Sequence, residues 1–181
     1  MKKVLYMVLI SICLTGCSIG NMDNTPTKKV EQYLNNYQTL DKSVLSNLDT
    51  IVNRETTFTN TQKNDYRELL KKHYQNLIYK IKEETVNGDK ATVETEIEVN
   101  DYTKVLNDAS NYRKTNESEF INGLGVFDEV KFNDYRLNLL KSSKDRVKYT
   151  IYFSLTKAND EWTLENLTQT EQEKMLGIYE Y

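Results

Sequence analysis

The chain has 181 residues and a formal net charge of −3, with 27 acidic side chains against 24 Lys and Arg. This length suits one domain with a hydrophobic core of its own. The acidic balance offers no basic surface for DNA or RNA, so we expect no nucleic-acid partner. One histidine and two cysteines supply too few nitrogen and sulfur ligands for a zinc site, and we expect no metal and no cofactor.

The first residues are organised like a secretory signal. Lys2 and Lys3 form a basic start, and an apolar run from Val4 to Leu14 follows, broken only by Ser11. This run is shorter than the roughly 20 apolar residues that a permanent membrane helix needs. A basic start, a short apolar stretch and small residues before a cleavage site are typical of a signal peptide that is removed.

The end of this segment, Leu14-Thr15-Gly16-Cys17, resembles the lipobox of bacterial lipoproteins. The resemblance implies that a diacylglyceryl group is added to the sulfur of Cys17 and that the Gly16–Cys17 bond is then cleaved. Residues 1–16 would be the signal peptide, and lipid on Cys17 would hold the mature protein to the extracytoplasmic face of the cell membrane. The alternative is an ordinary signal peptide, or an uncleaved apolar anchor, with a chance cysteine.

Cleavage before Cys17 would change both the charge and the cysteine content. Loss of Lys2 and Lys3 would move the formal net charge from −3 to −5, and Cys13 would leave as well. A mature chain with one cysteine has no internal disulfide, so its own core must hold the fold. We interpret residues 17–26 as the lipidated cysteine and a flexible tether of roughly 15–18 Å, and residues 27–181 as a single domain.

Three helices are predicted before the first strand. Pro26 after a hydroxyl residue predicts a helix start, and apolar residues follow at helical spacing through Tyr37. A second helix is predicted from Asp41 and a third from about residue 60. His73 lies on the apolar face of the third helix, where we interpret it as a packed residue rather than a catalytic one.

The pattern then changes to period two. Residues 91–99 alternate apolar with polar or acidic side chains, which predicts a strand with one buried face. Asn87-Gly88-Asp89 precedes this run and predicts a hairpin with a three-residue turn. That hairpin would bring Lys80 and Lys82 beside the acidic side chains of the second strand, Glu94, Glu96 and Glu98. We interpret this face as solvated and charge-paired rather than as a calcium site, because calcium prefers ligands that converge from a loop.

The middle of the chain has the weakest pattern. Helical spacing returns over residues 101–116, and two glycines interrupt it between residues 118 and 125. A further helix is expected over residues 126–140. Its apolar face would carry Val126, Val130, Leu137 and Leu140.

A second strict alternation, over residues 147–155, predicts another strand. A turn at Asn159-Asp160 leads to a last strand that contains Trp162, and a short terminal helix is expected after residue 168. The order is then helices, hairpin, helical insertion, hairpin and tail. This order predicts an α+β domain in which N-terminal helices pack on a curved antiparallel sheet.

Three segments resemble those of small bacterial lipoproteins with a cystatin-like or nuclear-transport-factor-two-like domain of unknown function. They are the Thr-Pro helix start at residues 25–30, NGDKATVETEIEV at 87–99 and DEWTLENL at 160–167. The resemblance implies a curved sheet that encloses a pocket. Some relatives of that kind are enzymes, such as ketosteroid isomerases, and many only bind or assemble. No position here matches a catalytic motif of the group, so no catalytic residue is carried over.

Four aromatic side chains are expected first of all in the core, and they are also the candidates for lining such a pocket if the sheet is curved: Tyr33, Tyr37, Tyr149 and Trp162. We expect a non-enzymatic module at the cell envelope that binds a small molecule or a protein through the concave face of the sheet or the terminal helix. The alternative is a small-molecule enzyme that uses Tyr and carboxylate groups as acid and base. An accessory role in cell-envelope assembly or immunity is a third interpretation.

Overall fold

A computed structural model describes residues 24–180 of the chain. Gly16, Cys17 and most of the interpreted tether lie outside these residues, so cleavage and lipidation stay predictions. The described part forms six α-helices, a short 3-10 helix and four strands. The elements are α1 (Pro26–Thr39), α2 (Lys42–Arg54), α3 (Asn60–Gln75), β1 (Ile78–Asn87), β2 (Lys90–Asn100), α4 (Tyr102–Thr115), the 3-10 helix (Glu117–Phe120), α5 (Glu129–Ser142), β3 (Arg146–Ala158), β4 (Glu161–Leu164) and α6 (Gln169–Leu176).

The predicted α+β class is confirmed, with helices packed on an antiparallel sheet of order β1-β2-β3-β4. The predicted order is confirmed too, because α4, the 3-10 helix and α5 stand between the two hairpins. The described packing begins slightly earlier than residue 27. Pro26 is buried, and the Asn24 side chain bonds to the backbone of Asp160 and of Trp162 at 2.5 and 3.1 Å.

Capping side chains fix where the first helices begin. Thr25 accepts a hydrogen bond from the first turn of α1, with Pro26 as the first helical residue. Asp41 does the same for α2, and Thr59 and Gln62 form a reciprocal capping box in α3. Each cap satisfies backbone N–H groups that have no partner inside the helix and contributes about 1 kcal/mol.

The inner face of the sheet forms the first of two cores. Along β2 and β3 every second side chain is buried, including Val93, Ile97 and Phe153. Val30 and Leu34 of α1 pack on this face and are themselves fully buried. The predicted packing of an N-terminal helix on the sheet is therefore confirmed, because α1 needs this apolar surface for its own buried stripe.

A bulge in β1 determines which charged side chains of β1 and β2 lie beside each other on the outer face of the sheet. The hairpin turn is Gly88-Asp89, one residue shorter than expected, and Asn87 pairs with Lys90. A register shift between Ile81 and Glu83 then changes the pairing by one residue. As a result Lys80 lies opposite Glu96, and the Lys82 ammonium is 3.1 Å from the Glu96 carboxylate. The predicted charge-paired face is confirmed, although the turn alone would not produce it.

The second core is formed by α2, α3, α4 and α5, and none of its buried residues belongs to a strand. This helical unit therefore adjoins the end of the sheet instead of covering it. The Asp101 N–H donates to the Asp145 carbonyl at 2.9 Å, so α4 starts and α5 ends beside the sheet. The connection between the two helices, residues 116–128, lies at their far end. With a rise of about 1.5 Å per residue, α4 spans roughly 20 Å from its start beside the sheet to this connection.

Two residues that we expected on the buried face of the fifth helix are exposed. Val126 is 58% exposed because it lies in a turn before α5 begins at Glu129. Val130 is 44% exposed in the first turn of α5. Leu137 and Leu140 are buried as expected.

The sheet and the helical unit are joined where α6 ends. Gly177 has a φ of +69° and closes α6. Its carbonyl accepts hydrogen bonds from the N–H groups of Tyr102 and Thr103 at 2.8 and 3.1 Å. Because these N–H groups belong to the first turn of α4, the chain end caps the helix that leaves the sheet.

Candidate functional site

The four aromatic candidates all belong to the core between the sheet and its helices, as their first interpretation predicted. The Tyr33 and Tyr37 hydroxyls are 3.0 Å apart, and the Tyr33 ring packs against Phe153 with centroids 5.8 Å apart. Trp162 is buried. Burial raises the pKa of Tyr33 and of Tyr37, so both phenols stay protonated in neutral solution. A phenol with a raised pKa is a poor candidate for a general base.

Tyr149 is the predicted residue that also borders a surface cleft. The cleft has a volume of about 480 Å³ and lies between the start of α4, β3 and the chain end. Its walls are Asp101, Thr103, Lys104, Asn107, Asp108, Val147, Tyr149, Tyr179 and Glu180. The Tyr149 hydroxyl donates to the Tyr179 carbonyl at 3.1 Å, and the Lys104 ammonium lies 3.3 Å from Asp108. These polar groups already have partners within the protein.

His73 is buried at the junction of the sheet and the helical unit. Its Nε2 lies 2.8 Å from the Met175 carbonyl, which makes Nε2–H the donor, and its ring centroid is 4.9 Å from that of Tyr102. Burial lowers the pKa of His73 to about 4, so the ring is neutral in neutral solution. The interpretation of His73 as a packed residue agrees with this position.

Two further findings concern residues 24–180. No group of three or more His, Cys, Asp or Glu among them is arranged to hold a metal ion. None of the helices they form is both long enough and apolar enough to span a bilayer.

The two most exposed large apolar side chains among the described residues, Leu124 and Val126, lie on one short segment between the 3-10 helix and α5. We call residues Ile121–Phe127 the apolar turn. Leu124, at its tip, is 88% exposed, Val126 is 58% exposed and Ile121 is 42% exposed. Single exposed apolar residues are ordinary, whereas several on one short segment are typical of interaction surfaces.

The backbone of the apolar turn is held by Asn122. The Asn122 side-chain oxygen accepts hydrogen bonds from the N–H groups of Leu124 and Val126, at 2.9 and 3.1 Å. The Asn122 N–H donates to the Val126 carbonyl at 2.8 Å, and Ile121 and Phe127 form a β-bridge. An asparagine that accepts from nearby N–H groups stabilises a turn in one conformation.

Aromatic side chains support the turn from below. The Phe127 ring packs beside Phe132, with centroids 5.9 Å apart, and Phe132 packs on the buried Phe120 at 5.3 Å. The Arg113 guanidinium lies over the Phe127 ring, 4.9 Å from its centroid. A cation above an aromatic face attracts the ring electrostatically. The apolar turn is therefore fixed to the helical unit by the packing of Phe127 on these aromatic rings.

This arrangement presents a small apolar knob in a defined shape, which can insert into an apolar pocket of another molecule. The sequence interpretation treated residues 118–125 as a break between helices and missed this surface. One signal was present, because Gly123 and Gly125 flank Leu124 and are followed by Val126 and Phe127. Turns that serve only to reverse the chain usually carry polar residues between their glycines.

The chain resembles YcdA of Bacillus subtilis, a candidate lipoprotein of known crystal structure, with 15% sequence identity and a TM-score of 0.43. The similarity covers 90% of this chain and 51% of YcdA, so this chain spans about half the length of that protein. No protein-family model matches the chain, and a search of curated proteins finds no match.

Proposed function

We propose that the protein is a lipid-anchored extracytoplasmic module that binds a partner through the apolar turn and does not act as an enzyme. The observation that carries this proposal is the exposure of Leu124, Val126 and Ile121 on a turn held by hydrogen bonds. The resemblance of Leu14–Cys17 to a lipobox supports the anchored location.

The energetics of the turn suit binding. Burying a Leu, Val or Ile side chain completely contributes about 1.5–3 kcal/mol, so the three together can contribute several kcal/mol. The Asn122 hydrogen bonds already fix the backbone, so little conformational entropy is lost when a partner binds. The raised pKa values of Tyr33 and Tyr37 weigh against the alternative of an enzyme with tyrosine acid–base groups.

The test compares two exposed valines in the full chain, in cells that produce the protein naturally. Val126 and Val86 are 58% and 50% exposed, and Val86 lies on β1 next to the hairpin turn at the other end of the molecule. After chemical crosslinking of intact cells, we expect a discrete crosslinked complex with the wild-type chain and with Val86→Asp. The complex should be lost with Val126→Asp, and an unchanged complex in that variant would refute the proposal.

The anchor is tested separately. The wild-type chain should incorporate radiolabelled palmitate, and Cys17→Ala should remain an unlabelled precursor. Label in the Cys17→Ala protein would contradict the lipid anchor without bearing on the apolar turn.

A further inference from the structure

We infer that the partner of the apolar turn is a protein with an apolar pocket bordered by Lys or Arg side chains, reached from the side facing away from the membrane. This inference rests on the proposed function and specifies its occupant. It depends on two independent features, the position of the turn in the molecule and the charge of the residues around it.

The position follows from the topology. Asn24, the first described residue, bonds to the β3–β4 hairpin at Asp160 and Trp162. That hairpin turn and the β1–β2 turn lie at the same end of the sheet, because Lys90 pairs with Thr156. From there β2 spans about 35 Å to Asn100. Helix α4 starts at that end of the sheet and spans roughly 20 Å to the apolar turn. The chain therefore enters the domain at one end, and the apolar turn lies at the other.

This position disfavours the membrane as the occupant. In the proposed anchored state, lipid on Cys17 lies seven residues before Asn24, so it holds the end of the domain that is opposite the apolar turn. For Leu124 to enter lipid, the domain would have to lie along the bilayer. A mature chain with a net charge of −5, two positive charges fewer than the full chain at −3, would then face anionic headgroups.

The local charge points the same way. Residues 117–129 contain four carboxylates, Glu117, Glu119, Asp128 and Glu129, and no Lys or Arg. The Arg113 guanidinium over Phe127 adds one positive charge beside the turn, so carboxylates still predominate. Segments that insert into the membrane interface usually carry Lys and Arg around their apolar residues, because anionic lipids attract them. An acidic border around an apolar tip instead complements a protein pocket with a basic border.

The same acidic border disfavours a second copy of this chain as the partner of the apolar turn. A symmetric dimer formed through the apolar turn would bring the same surface of each subunit together. The carboxylates of one copy would then face those of the other, and like charges that face each other across an interface are costly. A different protein with Lys or Arg around its pocket removes this repulsion.

The experiment uses the full chain in its native cells, with a diazirine-bearing amino acid at position 124 and, as the control, at position 86. After illumination we expect a protein adduct from position 124 and none of that mass from position 86. Mass spectrometry of the adduct should locate the linked partner peptide in an apolar pocket with Lys or Arg at its border. Adducts with lipid, or with a second copy of this chain, would overturn the inference while leaving the apolar turn as a binding surface.

A charge reversal tests the basic border independently. Glu117 is exposed beside the apolar turn, and Glu165 is exposed after β4. We expect Glu117→Lys to lower the adduct yield roughly threefold or more and Glu165→Lys to leave it unchanged, since border charges affect the association rate. An adduct yield that does not respond to Glu117→Lys overturns the basic border. Failure of the proposed function would look different: position 124 would give no adduct of any kind, and the crosslinked complex would persist in Val126→Asp.

Discussion

The chain reverses direction at both ends of the molecule, with polar side chains in the turns at one end and apolar side chains in the turn at the other. Near the chain entry, Gly88-Asp89 and Asn159-Asp160 reverse the strands, with left-handed residues at Gly88 (φ +59°), Asn159 (+50°) and Asp160 (+63°). At the other end Gly125 adopts a φ of +77° in the apolar turn. Gly, Asn and Asp suffice for such geometry. The apolar residues of the second end are therefore not needed to reverse the chain, and binding to another molecule is the role proposed for them above.

The largest effect is expected where the sheet and the helical unit join. A side chain at Gly177 would place its Cβ 2.0 Å from the Asn100 carbonyl oxygen, in a left-handed conformation. We expect Gly177→Ala to lower the free energy of unfolding by roughly 4 kcal/mol, because a backbone atom cannot move aside. Urea denaturation of the chain from residue 18 measures this. Gly123→Ala is the control, since a Cβ there meets nothing within 4 Å, and similar losses in both variants would contradict the role of the junction.

The next effect is a pH dependence at the same junction. Burial lowers the pKa of His73 to about 4, whereas the unfolded chain titrates near 6.5. Between these pH values the unfolded state binds more protons than the folded state. The contribution of neutral His73 to the free energy of unfolding is therefore fully present above pH 6.5 and is lost as the pH drops toward 4. The loss attributable to His73 should reach about 3 kcal/mol. Denaturation at several pH values should show a flatter profile over this window in His73→Gln, and parallel profiles would contradict the prediction.

A matched pair of substitutions, with a smaller expected effect on stability, compares the turns at the two ends. Gly88 and Gly125 both have positive φ, and an added Cβ meets nothing within 4 Å at either position. Gly88→Ala and Gly125→Ala should therefore each cost about 1 kcal/mol of stability, through backbone strain alone. Thermal unfolding measures both. The crosslinked complex in intact cells should weaken only with Gly125→Ala, and equal weakening in both variants would remove the distinction between the two ends.

The smallest effect on stability is expected at the tip of the apolar turn. Leu124 is 88% exposed, so Leu124→Ser should change the free energy of unfolding by less than about 0.5 kcal/mol. The same substitution should reduce the crosslinked complex, because it removes the apolar group that enters the proposed pocket. A large loss of stability in Leu124→Ser would show that this side chain serves the fold.

The parts of the fold that follow local rules were predicted, and those that depend on distant contacts were not. Strict alternation predicted β2 and β3, and Asp41 and Asp101 marked helix starts where each now caps a helix. The bulge after Ile81 and the Gly177 junction depend on pairing between distant segments, which period and propensity do not contain. Val126 and Val130 were misplaced because apolar spacing cannot show where the chain turns before a helix.

The candidate site was missed for a related reason. Sequence reasoning looked for a site among aromatic residues, and Tyr33, Tyr37, Tyr149 and Trp162 belong to the core, which was their first interpretation. Leu124 is one ordinary leucine between two glycines. Its exposure follows from the position of the turn beyond both helix ends, which only the tertiary structure reveals.

The bulge in β1 has a consequence for how copies of the protein meet. In the described chain β1 is an edge strand of the sheet, and its backbone hydrogen-bonding groups could pair with a strand from another molecule. The shift between Ile81 and Glu83 interrupts the regular spacing of those groups, and Lys80, Lys82, Glu83 and Glu84 place charges along the same edge. Both devices oppose the growth of a continuous sheet from one molecule to the next. Molecules at high local concentration would thereby be protected from strand-to-strand aggregation.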